Sequence, residues 1–549
     1  MVQSSRSNDS HSDHCPLVAL LLADLVDDTT EQEAVRMQKT FAETPGEKRL
    51  LVCIPDPNPP AEPLLRAVAG LQVETQFLLG QHLEQPPTGQ FVVKAPPDIK
   101  RDDLIKFALA LSDVVLISEG KGDEQWAQYA EKTLGKTLVA IGSPLPALPA
   151  DPVDVTEHLD PKSPGWHSWG RCLVGRPEQF MLECLALLSW GDGKKRKNRL
   201  WRSFWGWRSP QDYLAPPEWK RLCPDKAAEP LAALTNQFGI MDRSALYGSH
   251  IHRDMTWIAY LGSAFAVLSA VAGHVFGYSA SNWVGSAVLS ARGGHVFAFI
   301  QSSWIEFGFL TWVLCCVILA QWTRLQERWT ACRLGAEQLR IVCMSLPLLV
   351  LPPAFGTADA KGLRDSEDPV DYELSAIGQV KRALRQQGLP RVDFSAFTAS
   401  EAARWVQLIV MDQMHYHEHN QHTLERAEKT LRALSTAIFL ASWVFVVLVL
   451  FGHDHPLFFL ATAAGPAFAA ALHGAGTRLG FVHRAALSSD MSRQLKEISY
   501  SLDELIRTAA SSVPAWEKVR GLTFEAAKAM GAENTSWHRL VRRYRDELP

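Results

Sequence analysis

Hydrophobic and polar positions follow three regimes along the chain. Over residues 15–150, short apolar runs alternate with helical patterns. Pro16–Ala23, Arg49–Ile54, Phe91–Val93, Val114–Ile117 and Thr137–Ile141 are continuous apolar runs, the pattern of strands buried on both faces. Helical spacing over Glu31–Ala42, Asp102–Leu111 and Asp123–Leu134 fills the gaps. That βαβ rhythm predicts a small Rossmann-like parallel sheet with helices on both faces, an α/β domain. Residues 151–229 lose periodicity except for a helical pattern over Pro177–Leu188, and are rich in Pro, Trp and basic residues. Beyond residue 230 come four runs nearly free of charge: Met255–Tyr278, Ser303–Trp322, Leu434–Gly452 and Pro456–Gly474. Crossing a bilayer core as a helix takes ~20 residues, so the chain reads as a polytopic membrane protein with large water-soluble parts.

The membrane part has a plan that occurs twice. A polar-faced helix over about 230–253 leads into two spans and a helix follows over 323–345. A second over about 399–433 leads into two more, followed by 477–510. In this last helix Leu487, Met491, Leu495, Ile498, Leu502 and Leu505 recur at spacings of four and three, a seam for packing against another helix. Ile341–Pro353 is apolar but too short and proline-rich to span, so it is expected to be buried or interfacial. The division is therefore 1–14, a disordered N-terminus; 15–150, the α/β domain; 151–229, a linker; 230–350, the first hairpin module with spans 255–278 and 303–322; 351–398, a linker; 399–510, the second with spans 434–452 and 456–474; and 511–549, C-terminal helices.

Charge sets the expected orientation. Lys194, Arg196, Arg253, Arg324, Arg328, Arg426, Lys429, Arg432, Arg478 and Arg484 flank the spans on one side. The connection Ser279–Ser302 holds only Arg292, and His453-Asp454-His455 holds no Lys or Arg. Lys and Arg concentrate on the cytoplasmic side, so both hairpins point outward and both termini are cytoplasmic. Overall charge is −4, which gives no reason to expect a nucleic-acid partner. The nine cysteines show no CxxC spacing and read as reduced or buried thiols. The first residues lack the apolar stretch of a signal peptide.

Candidate chemistry is sparse. Ligands of parallel sheets sit beyond the carboxyl ends of the strands, which here means Asp24, the run Ser118, Glu119, Gly120, Lys121 and Gly122, and Gly142 with Ser143. Glycine amides beside Lys121 suit a phosphate; glycines between a strand and a helix also simply make a turn. Glu306 is the only acid within the four spans. In an oligomer, a ring of Glu306 with Gln301, Ser302 and Ser303 would favour cations; alone, Glu306 reads as an interfacial carboxylate reaching for water. His415, His419 and His422 share a helix face at metal-ligand spacing, with His417 beside them, yet the zinc-protease pattern fails because position 421 is Gln421. Histidines satisfied by neighbouring acids, not a metal, are the reading adopted. Small residues in span four, and Gly262, Ala266 and Ala270 in span one, predict close helix packing. Gly193–Arg208, basic with interleaved tryptophans, suits an inner-leaflet anchor. No P-loop, GxGxxG or Ser/His/Asp arrangement is present, and no cofactor is expected.

Three resemblances rest on particular residues. The segment 110–142, with Ser112-Asp113 before an apolar strand, Gly120 and Gly122 after it, and Gly135-Lys136 before the next, resembles the Rossmann-like SLOG family, in a degenerate form without a glycine-rich turn after the first strand. That resemblance implies a nucleotide-derived ligand. The same segment is similar to the late part of a TIR domain through Ser118, Trp126 and Glu131, which would make Glu131 an NAD-cleaving carboxylate; a helix-surface glutamate is the alternative. Arg333, Ala336-Glu337 and Leu339-Arg340 after span two, with Trp405, Asp412-Gln413, Tyr416-His417 and Asn420 before span three, resemble the SLATT family of two-transmembrane effectors associated with SMODS and SLOG modules. Together they imply a bacterial inner-membrane effector or channel-like protein gated by a nucleotide-derived signal, homo-oligomeric because four spans enclose too little for a pore. A non-conducting membrane scaffold is the alternative.

Overall fold

The computed structural model describes residues 17–22, 31–42, 48–54, 68, 74–79, 91–94, 99–117, 125–134, 136–141, 143, 145, 154–156, 159, 231–283, 291–350, 372–389, 398–453, 455–508 and 513–545. Six strands form one sheet: β1 (Leu17–Leu22), β2 (Lys48–Ile54), β3 (Glu74–Leu79), β4 (Phe91–Lys94), β5 (Val114–Ile117) and β6 (Thr137–Ala140). All pairs are parallel, in the order β4-β3-β2-β1-β5-β6. Strand order therefore reverses between β1 and β5, the kind of position at which open parallel sheets bind ligands.

Successive strand residues point to opposite faces, and both faces are covered. Ala19, Leu21, Leu50, Val52, Val114 and Leu116 pack on Met37 and Phe41 of α1 (Glu31–Ala42). Val18, Leu20, Leu51, Cys53 and Val115 meet Leu104, Phe107 and Ala108 of α2 (Arg101–Leu111), and Ala127 of α3 (Gln125–Gln128). The expected helix Asp123–Leu134 is thus the short α3 and a π-helical turn, Tyr129–Thr133. β3 was not anticipated from the apolar runs because its first half, Glu74-Thr75-Gln76, is polar; Gln76 is nevertheless buried, for a reason given below.

The rest of the described chain is helical: α4 (Ala232–Trp283), α5 (Ala291–Trp322), α6 (Leu325–Ser345), α7 (Tyr372–Gln387), α8 (Ala399–Leu450), α9 (Pro456–Arg478), α10 (Phe481–Thr508) and α11 (Val513–Arg545). Four of these helices are long and apolar enough to cross a membrane, α4, α5, α8 and a stretch beginning with α9. The expected polar helices that lead into the spans are not separate elements. α4 and α8 each run unbroken for 52 residues, about 78 Å at 1.5 Å per residue, more than twice the ~30 Å hydrocarbon core. The connection read as loop over Ser279–Ser302 is likewise helical as far as Trp283 and again from Ala291. A capping box between Thr398 and Glu401 starts α8.

The long helices pack in pairs. α5 returns antiparallel to α4, with Phe309 stacked on Phe265 and Val313 against Gly262. α9 returns along α8, where Ser435 donates to the Ala469 carbonyl at 2.8 Å. Each return ends in a left-handed residue, Arg324 (φ 45°) and Gly480 (φ 64°). The exit helix then packs back along the lower half of its own long helix. α6 lies against α4, with Gly335 at Met241, and α10 lies against α8, with Asn420 donating to Ser488 at 2.8 Å. The predicted α10 seam is buried at Met491, Leu495, Ile498, Leu502 and Leu505. α9 also packs on α4, Gly474 meeting the ring of Tyr260, so the spans stand principally in the row α5-α4-α9-α8. Their outward surfaces carry Trp304, Phe307, Trp312, Phe439, Trp443 and Leu450, all exposed.

Residues 351–398 are more than a linker. They contain α7, which packs on α4 and α6 through Ala376, Val380 and Ala383. Its last turn clamps the amino edge of the sheet. Arg385 Nε donates to Asp113 Oδ1 at 2.8 Å, and the other Asp113 oxygen accepts from the Val18 amide at 3.1 Å. Arg49 donates to the Arg385 carbonyl. Gln76 accepts from the Leu389 amide at 2.8 Å, just beyond Gly388 (φ 65°), which explains a polar start to β3. Below this edge the sheet core and the helical core are continuous.

Arg385→Ala would take from the half-buried Asp113 the guanidinium it pairs with, leaving Lys136 as its nearby cation. This is expected to weaken domain docking by roughly 3 kcal/mol, seen as earlier loss of hydrogen-exchange protection in β1 and β2. The double variant Asp113→Asn/Arg385→Gln should recover part of that loss, because the carboxylate that lost Arg385 is gone.

Candidate functional site: a buried ionic junction

The most polar part of the interior lies where α4, α6, α8 and α11 meet. On α6, Arg333, Glu337 and Arg340 stand at i, i+4 and i+7 and so share one face. On α8, Gln413 and His417 occupy two steps of an otherwise apolar stripe that includes Val406, Val410, Leu424 and Ala427. α4 contributes Asp242 and α11 contributes Glu533.

Arg340 is the hub, with only 9% of its surface exposed. Its guanidinium pairs with Glu337, reaches Asp242 at 3.9 Å and donates to Gln413 Oε1 at 3.3 Å. It also lies over the ring of Phe238, 5.1 Å from the centroid, a favourable cation–π placement. Gln413 passes the network on to Asp412 at 3.3 Å. Arg333 lies 3.9 Å from Glu337 and bonds Tyr416. His417 Nε2 faces Glu533 Oε2 at 3.5 Å.

Burial and charge act differently on these groups. Burial would raise the Glu337 carboxyl, but the guanidiniums of Arg340 and Arg333 outweigh it and hold it below the usual carboxylate range. Asp242 is raised, burial exceeding the help of Arg340. Glu533 is pushed up to about 7 by burial, with Arg333 opposing and Glu337 adding to the rise. Burial brings His417 down to about 4, so its imidazole is neutral near pH 7. Two guanidiniums thus face one firmly ionised carboxylate and two whose charge depends on their surroundings.

Of the α6 and α8 residues that carry the two-transmembrane resemblance, Arg333, Glu337, Arg340, Asp412, Gln413, Tyr416 and His417 belong to this junction, while Ala336 and Leu339 lie in the apolar core. Trp405 is buried further along α8, and Asn420 bonds α10. Asp242 and Glu533 were not picked out from the sequence. The signal for Glu533 was available: Trp516, Val519, Thr523, Ala526, Met530 and Glu533 recur at spacings of three and four, so the carboxylate occupies an apolar-stripe position.

The other candidate residues fare differently. Asp24, Ser118, Glu119, Gly120, Lys121, Gly122 and Gly142 lie outside the described residues, as do the helical pattern Pro177–Leu188 and the basic-aromatic run Gly193–Arg208. Ser143 is exposed and its amide donates to the Ala140 carbonyl at 2.9 Å. Glu131 is exposed in the π turn, beside Tyr129, whose ring meets Trp126 edge-on. Gln301, Ser302 and Ser303 belong to α5. Glu306 is half-buried on the α5 stripe it shares with Phe309 and Val313, the face that meets α4. His415, His419 and His422 are exposed, and among the described residues no three metal-type ligands meet.

No protein-family model matches the chain, and comparisons with curated proteins and with solved structures find no match. The class of protein is therefore defined by its own architecture: a chain with four membrane-length apolar helices joined to a parallel-sheet domain.

Removing Arg340 takes the principal cation from Glu337 and Asp242, leaving Arg333 as the main charge facing Glu337. Arg340→Met is expected to destabilise the helical bundle by roughly 3–5 kcal/mol, read as a lowered thermal midpoint of the purified protein. Gln413→Leu, which removes a neutral partner only, should cost about 1 kcal/mol.

Proposed function

We propose that the chain is a multi-pass membrane effector in which the sheet domain receives a nucleotide-derived signal and the helical bundle converts it into a change in the spans. The observation that carries this reading is the continuity of α4 and α8. His417 lies 17 residues before the apolar run that begins at Leu434, about 25 Å along one helix. A rearrangement at the ionic junction is therefore transmitted to the spans as a movement of stiff rods.

The signal side rests on topology and resemblance. Asp24 follows β1 in the chain and Ser118–Gly122 follow β5, the two strands between which the sheet order reverses, and the SLOG resemblance implies a nucleotide-derived ligand there. The Rossmann-like assignment rests on the same strand order. The amino edge, by contrast, is occupied by α7, so ligand and bundle engage opposite edges of the sheet.

The output side rests on the row of spans and on charge. A row of four spans leaves α5 and α8 at its ends, and copies joined at those ends would enclose a passage that one chain does not. The bare hairpin connections and the flanking Arg and Lys favour an inner-membrane location with both termini in the cytoplasm. The SLATT resemblance favours a role in bacterial conflict signalling. The competing scaffold reading shares the architecture and differs only in conduction.

Conductance of the purified protein in planar bilayers, with and without a panel of NAD-derived and cyclic nucleotides, tests this reading. Ligand-dependent current is expected, with reduced cation preference in Glu306→Gln. Silence from folded, oligomeric protein under every condition would leave the scaffold.

A further inference from the structure

The C-terminal helix α11 bridges the sheet domain and the ionic junction. At its first turns Glu517 meets Lys100 at 3.1 Å and Arg520 meets Asp103 at 3.7 Å, both partners belonging to the start of α2. Sixteen residues later, about 24 Å along the helix, Glu533 enters the junction opposite His417. Between these points α11 buries Val519, Thr523, Ala526, Ala527 and Met530. The Lys100–Glu517 pair is largely exposed and contributes little. Among the described residues, Glu533, facing His417 and acted on by Arg333, is the charged side chain that α11 places in the junction.

That contact joins two groups that compete for a single proton. The side chains of His417 and Glu533 are 4% and 14% exposed, so neither is free to exchange its partner for water. From α6, Arg333, Glu337 and Arg340 face Glu533. From α8 comes His417, with Tyr416 beside it on Arg333. α10 presents Ser488, Met491 and Ser492 as buried groups, and its Asp490–Arg493 pair is exposed. Around Glu533, Arg333 opposes the effect of burial and Glu337 adds to it; around His417, Glu337 opposes burial while Arg333 and Arg340 add to it. Burial is the largest influence on both groups, so the docked geometry favours a neutral carboxyl beside a neutral imidazole.

We propose that Glu533 and His417 form a proton-dependent latch that tunes the docking of α11, and through it an attachment of the sheet domain, near neutral pH. The proposal does not depend on the nature of the signal or on conduction. The signs follow from linkage. The folded-state value of Glu533 is raised, so its contribution is present at low pH and is lost as pH rises through about 7. That of His417 is lowered, so its contribution is present above about 6.5 and is lost as pH falls toward about 4. The two slopes oppose each other across pH 6–8, leaving the native protein a modest fall of about two- to threefold in the docking constant.

Removing either partner exposes the slope of the other. In His417→Asn the docking constant should fall about tenfold from pH 6 to pH 8. In Glu533→Gln the direction should reverse, with a rise of about fourfold over the same range. Hydrogen exchange of α11 amides in the full-length protein, corrected for the intrinsic pH dependence of exchange, reads the docking constant directly. Protection of α8 and α10 serves as the internal control for folding. Opposite pH slopes in the two variants would establish the latch. A Glu533→Gln slope with the native sign, or α11 protection independent of pH in His417→Asn, would overturn it. If His417→Asn fails to hold α8 and α10, the sign of the Glu533→Gln slope alone decides.

Discussion

A guanidinium buried among four helices is the constraint around which this bundle is arranged. Removing Arg340 from water costs several kcal/mol, and only well-placed partners offset that cost. Those partners come from different parts of the chain: Glu337 from its own helix, Asp242 from α4 and Gln413 from α8. Apolar packing alone would tolerate a slide of one helix along another by a turn. A buried ion with fixed donors does not, because each step would strand a charge. The register between the two hairpin modules, which share no recognisable sequence identity, is set here.

The second constraint is length. A helix of 52 residues cannot be buried in a bilayer, so the polar half of each long helix must find cover elsewhere. Each module supplies it by turning the chain sharply after the returning span and laying the exit helix along the long one. The turn demands a left-handed residue in both modules. Gly480 takes that conformation without steric cost, whereas Arg324 accepts it at a cost of about 1–2 kcal/mol. The close approaches in the membrane part are made by glycine: Gly262 faces Val313, Gly465 faces Ser442 and Gly474 faces Tyr260. These contacts agree with the way helices associate where no hydrophobic difference drives them together.

Much of this was legible in the sequence because periodicity is a local property. The apolar runs fall within the four membrane-length helices, the seam from Met491 to Leu505 is buried on α10, and five of the six strands stand out as continuous apolar stretches. What was not legible depends on partners distant in sequence. β3 opens with Glu74-Thr75-Gln76, which reads as loop until Leu389 appears as the partner of Gln76. α7 passes for linker because its short apolar stripe acquires meaning only against α4 and α6. The ionic junction was visible in pieces, as one motif on α6 and another on α8. That the two motifs meet, and that Asp242 and Glu533 complete them, follows only from the packing.

The two edges of the sheet are the last step in the argument. A parallel sheet has a chemically distinct rim at each end of its strands, and this chain uses the amino rim for attachment. Asp113, Arg49 and Gln76 all stand at or near strand starts, and all three bond the last turn of α7 or the residues just after it. A ligand at the carboxyl rim of β1 and β5 would tighten the sheet without displacing its attachment, and any change in strand or helix tilt would reach α7 and α11 at once. Both helices end on the pair α4–α6 or on its ionic junction, from which the long helices run into the spans. The architecture thus ties the amino rim of the sheet, through α7 and α11, to the helices that run into the membrane-length segments.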